Sequence, residues 1–60
     1  MFIIKNEKYG NYYKSTIKDS YHFVLDIEQA KKFKELDQAI KVLESMKKLR
    51  NKDFIKIVKI

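Results

Sequence analysis

Asp53-Phe54-Ile55-Lys56-Ile57-Val58-Lys59-Ile60 reads as a β-strand that follows the helical part of the chain. Its Ile and Val side chains are β-branched and its Phe is aromatic, the residue types that fit a pleated, half-buried surface. The preceding segment keeps a different period. Leu36, Ala39, Ile40, Leu43 and Met46 recur at intervals of three and four, which puts one apolar stripe on a helix over residues 36–50. Asp37 falls in its first turn and Lys47, Lys48 and Arg50 in its last, both favourable to the helix dipole. Asn51 suits a left-handed cap. A strand after a helix brings the chain back to a sheet, so the fold class is α+β.

Further upstream, Asp26 is placed to cap a short helix over residues 27–32, with Gln29 three positions on and Ile27, Ala30 and Phe33 spaced by three. Residues 2–8 begin with the apolar run Phe2-Ile3-Ile4 and turn polar. Gly10 and Asn11 tolerate positive φ and mark a hairpin turn. Residues 12–17 are aromatic and β-branched, Lys18-Asp19-Ser20 is a second turn, and Tyr21–Leu25 is a third, shorter strand. The expected architecture is one domain over residues 1–60. It is a small antiparallel sheet of three or four strands with a short and a long helix on one face, in the order β-β-(β)-α-α-β. The first and last strands are the most apolar and are expected to be central or adjacent.

Those two strands carry the functional argument. Phe2, Ile3 and Ile4 are apolar on both faces of the first strand, and Phe54, Ile55, Ile57, Val58 and Ile60 on both faces of the last. Helices packed on one face leave the other unsheltered. The expected cover is another chain, with Phe2, Ile4, Phe54, Val58 and Ile60 as the oligomer interface. A 60-residue chain strengthens this expectation. It buries only about 60% of its unfolded surface, and without disulfide or metal such a domain gains from assembly.

Composition excludes more than it names. Hydrophobic residues are 45% and charged residues 37% of the chain, with eight aromatics, a balance that supports a core and excludes disorder. Without cysteine there are no disulfides, thiolate metal sites or cysteine nucleophile, which favours a reducing cytoplasm. Met1-Phe2-Ile3-Ile4-Lys5 is too short an apolar run for a signal peptide or a membrane span. One glycine cannot build a phosphate-cradling loop. His22, the sole histidine, lies between Tyr21 and Phe23 in a strand pattern, and Ser15, Ser20 and Ser45 fit turns or surface, so no triad forms. Asp26 and Glu28, and Glu35 and Asp37, are two apart and do not share a helix face. No catalytic residue, metal site or cofactor is expected.

The net charge is +6, and residues 41–60 supply most of it, with seven cations against Glu44 and Asp53. Such a surface attracts phosphate. Only one cation is arginine, the residue suited to bidentate recognition. The tyrosines Tyr9, Tyr12, Tyr13 and Tyr21 can stack a base or anchor a protein interface. With Lys47, Lys48 and Arg50 they form the candidate partner-binding set.

The segment Asp26-Ile27-Glu28-Gln29-Ala30-Lys31-Lys32-Phe33, then Ala39 and Leu43, then the closing Ile57-Val58-Lys59-Ile60, resembles small uncharacterised accessory proteins of phages and prophages of low-GC Gram-positive bacteria. The resemblance implies a non-enzymatic, phage-type binding module that docks on and inhibits a host protein. The target would be a defence system, in an anti-CRISPR-like manner, or a nucleic-acid enzyme. The alternatives are a small basic nucleic-acid-binding protein and a homo-oligomer with no further partner.

Overall fold

The computed structural model describes residues 1–46 and 52–60. Four strands, β1 (Phe2–Asn6), β2 (Asn11–Ile17), β3 (Ser20–Val24) and β4 (Ile55–Lys59), form one antiparallel sheet in the order β3-β2-β1-β4. Among the described residues one α-helix, α1 (Leu36–Ser45), packs on it. The terminal strands are adjacent, as their composition implies. Their register pairs Phe2 with Lys59, Ile3 with Val58, Ile4 with Ile57, Lys5 with Lys56 and Asn6 with Ile55.

Both hairpins follow from turn chemistry. Asn6 Oδ1 accepts the N–H groups of Lys8 (3.0 Å) and Tyr9 (3.3 Å), and Gly10 returns its N–H to the Asn6 carbonyl. Gly10 holds φ +67°, whereas Asn11 opens β2 instead of sharing the turn. Gly10→Ala meets no atom within 4 Å, so its cost is backbone strain alone. A loss of about 1 kcal/mol is expected in chemical denaturation, with the native fold kept. At the second hairpin Ile17 pairs with Ser20, and Lys18 and Asp19 take φ +49° and +65°. Two consecutive left-handed residues match the twist of the flanking strands.

The short helix expected over 27–32 reduces to a single 3-10 turn at Ile27–Gln29. Asp26 does cap it, its carboxylate accepting from Glu28 N–H at 2.9 Å. Ala30 then leaves the helical region at φ −66°, ψ 149°. The extended chain enters a fork in the sheet. β1 and β2 pair only at Lys5–Tyr12 and Asn6–Asn11 before they diverge. Residues 31–33 fill the gap: Lys31 N–H donates to the Tyr13 carbonyl of β2, and Phe2 and Phe33 exchange both backbone hydrogen bonds. Hydrogen bonds that a continuous β1–β2 ladder would make are thereby supplied from elsewhere.

α1 is shorter than its apolar stripe suggests. Met46 has already left helical geometry at ψ 2°. The Tyr21 hydroxyl donates to the Ser45 carbonyl at 2.7 Å and satisfies one of the free terminal acceptors. The expected continuation through Lys47, Lys48 and Arg50 to Asn51 lies outside the described residues. The buried stripe is also rotated. Ala39 and Met46 are fully buried and Val42 and Leu43 pack beside them, while Leu36 is exposed. Ala39, with the smallest side chain of the stripe, lies in the core between helix and sheet.

The core joins Ile4, Tyr13, Phe33, Ala39, Met46 and Ile55. Tyr13 is its hub, stacked on Phe33 and edge-on to Phe23, both at 6.1 Å between ring centres. A β-bulge between Tyr13 and Ser15 lets Thr16 share the helix side with Tyr13, whose hydroxyl lies 2.7 Å from Thr16 Oγ1.

Candidate partner-binding surface

Alternation along the strands divides the sheet into two faces. Ile4, Ile55 and Ile57 point to α1. Their neighbours point the other way. Val58 and Ile60 of the β4 segment, Met1, Ile3 and Lys5 of the β1 segment, and Lys56 therefore share the opposite face, and the register carries it through Tyr12 to Val24. Ile60 N–H donates to the Met1 carbonyl at 2.8 Å, so the ladder continues to that end.

Exposure on this face is uneven. Met1, Val58 and Ile60 are 58%, 37% and 50% exposed, while Ile3 is sealed at 1%. The expectation of an apolar surplus on both terminal strands is thus met by β4 and largely lost on β1. Ile4, assigned to an oligomer interface, is fully buried by the subunit itself. Phe2 lies half-buried on the helix side against the same core. Ile4 is closed to a second chain, and Phe2 keeps part of its surface exposed. Helices are not the sole cover, because Phe33 packs in one cluster with Ile4 and pairs with Phe2 through the backbone. Phe54, Val58 and Ile60 remain exposed.

The tyrosines separate in the same way. Tyr13 is core and Tyr21 is half-buried with its hydroxyl spent on the end of α1, so both are structural. Tyr12 is half-buried on the open face, with the Lys5 ammonium 5.9 Å from its ring centre. Tyr9 is exposed at the first hairpin. The Lys8 ammonium sits 5.6 Å from its ring and 5.5 Å from that of Phe54, a cation held between two aromatic faces. The Phe54 carbonyl accepts from Glu7 N–H, which ties this cluster to the end of the sheet. Lys47, Lys48 and Arg50 lie outside the described residues.

Sequence reasoning missed Lys5, Lys8 and Lys56. Their signal was cross-strand register, which places Lys5 beside Lys56 and Lys8 near Phe54. Lys56 also meets Glu7 at 3.4 Å, an exposed pair of small energetic weight. The open face therefore combines apolar side chains at the Met1–Ile60 end with cations and aromatic rings at the other. Among the described residues no three His, Asp or Glu side chains gather as a metal site. No helix among them is long and apolar enough to cross a membrane. In comparisons with known proteins the chain matches no family model, no curated protein and no solved structure.

Proposed function

We propose that the protein is a non-enzymatic binding module that docks its open sheet face on a larger acidic protein and blocks that protein sterically. The observation that carries this reading is the exposure of Val58 and Ile60 on a face whose opposite side is filled by α1. An apolar centre with a polar, charged rim is the common anatomy of protein interfaces. The cations on that rim, Lys5 and Lys56, and the net charge of +6 select an acidic partner. They disfavour a second copy on the same face, which would bring like charges together. The phage-type role, inhibition of a host defence or nucleic-acid enzyme, is supported by the sequence resemblance.

The test is affinity capture from bacterial lysate after nuclease treatment, with the bound proteins identified by mass spectrometry. One acidic protein in stoichiometric amount is expected. Recovery of no stoichiometric protein overturns the reading.

Direct binding of nucleic acid is the second reading, favoured by the charge excess and by the Tyr9–Lys8–Phe54 stack. It requires an affinity that falls by about 0.7–0.9 log units per neutralised phosphate for each tenfold rise in salt. Fluorescence anisotropy with labelled single- and double-stranded oligonucleotides measures this slope. On the docking account no salt-dependent complex forms at physiological ionic strength.

A further inference from the structure

The sheet has two free edges, and they differ in chemistry. β4 (Ile55-Lys56-Ile57-Val58-Lys59) carries two lysines among its five residues, the usual guard against edge-to-edge pairing. β3 (Ser20-Tyr21-His22-Phe23-Val24) carries no formal charge and no proline, in a chain whose net charge is +6. Exposed apolar side chains gather around this second edge. Leu25, directly after β3, is 79% exposed, the highest value among the exposed large hydrophobic residues; Ile27 follows it in the chain and is exposed too, and Ile17, paired with Ser20, is exposed at the other end of the strand.

We propose that two copies of this chain pair antiparallel through their β3 edges, centred on His22, and extend the sheet to eight strands. A two-fold interface must be self-complementary, and this register is. Tyr21 faces Phe23 of the second copy, both on the helix side, which continues the aromatic cluster around Tyr13 across the axis. Ser20 faces Val24 of the second copy, and His22 faces its own equivalent on the open side. The strand brings no formal charge to either side of the seam. For a chain of this charge, β3 is the edge that a second copy reaches with least repulsion. The pairing leaves the Met1, Val58 and Ile60 face free, so it stands independently of the docking partner.

Sedimentation equilibrium across micromolar to millimolar chain concentrations tests the proposal. A concentration-dependent monomer–dimer equilibrium is expected. His22 is exposed, so His22→Lys keeps the fold, checked by circular dichroism, and sets two ammonium groups against each other. It raises the dimer dissociation constant by at least about tenfold. Val58→Glu leaves dimerisation unchanged. A monomer at every concentration overturns the proposal, as does a dimer that survives His22→Lys but is lost in Val58→Glu.

Discussion

Ile4→Ala is expected to remove about half of the folding free energy, whereas Ile60→Ala, one strand away in the same sheet, changes it by less than about 1 kcal/mol. The difference lies in surroundings. Ile4 is 0% exposed, enclosed with Tyr13, Phe33, Ala39, Met46 and Ile55, and Ile60 is half exposed on the face without a helix. Truncating a buried isoleucine costs about 2–5 kcal/mol, because the cavity left behind collapses only in part. At about 0.05–0.15 kcal/mol per residue, a domain of this length holds only about 3–9 kcal/mol in total. Thermal unfolding followed by circular dichroism measures the contrast. Ile4→Ala should lower the midpoint by about 15–30 °C and Ile60→Ala by less than about 8 °C. Equal losses at the two positions would mean that the open face is sheltered within the subunit.

The double substitution Val58→Glu/Ile60→Glu should reverse that ranking, sparing the fold and abolishing docking. Both side chains are exposed, so removing them takes little from the core. In a complex they would be buried. Fully sheltering a valine or isoleucine is worth about 1.5–3 kcal/mol, and here roughly half of each side chain remains to be covered. Losing that contact already weakens binding by about tenfold or more. The two carboxylates add a further desolvation cost and repulsion from an acidic partner. The combined expectation is a loss of at least about 100-fold in affinity, equal to about 2.8 kcal/mol. Isothermal titration calorimetry against the captured partner reads it directly. A matched variant on exposed residues elsewhere, Lys34→Gln/Lys41→Gln, changes the net charge by the same amount and controls for long-range electrostatics. Equal weakening by both variants would assign the binding to overall charge and not to this face.

The contrast between these substitutions shows what the sequence holds and what it does not. Strand positions, both hairpins, the Asp26 cap and the pairing of the terminal strands are legible, because each depends on residues close in sequence or on composition alone. Asp26, Ala30 and Phe33 also stand out as a pattern, yet they read there as a helix. Their work is different: Asp26 caps one 3-10 turn, Ala30 is buried as the chain extends, and Phe33 joins β1 by two backbone hydrogen bonds. Nothing periodic announces a segment that bonds to β1 and β2 at once, so the fork in the sheet is invisible to pattern analysis. The same omission explains Ile4. It looks like surplus when helices are the only cover counted, and it is buried in one cluster with Phe33 from the segment that fills the fork.

The candidate surface was legible in outline only. Val58 and Ile60 follow from alternation along the last strand. Tyr12 could be separated from Tyr13 only as lying on opposite faces, and deciding which one faces the core needs the sheet register. Tyr21 gives no sign in sequence that its hydroxyl is committed to Ser45, since the two residues belong to different elements. Lys8 between Tyr9 and Phe54 requires the hairpin and the start of β4 to meet, a juxtaposition set by the Glu7–Phe54 hydrogen bond.

The claim at the centre of this account is that α1 occupies one side of the sheet and leaves the other side to a foreign protein. Covalent side-chain footprinting of the chain, free and bound to its captured partner, addresses it most directly. Strong protection on binding is predicted at Met1, Lys5, Lys56, Val58 and Ile60, with Leu36 and Lys41 of α1 labelled equally in both states. Protection confined to α1, with Val58 and Ile60 still labelled as in the free chain, would contradict it.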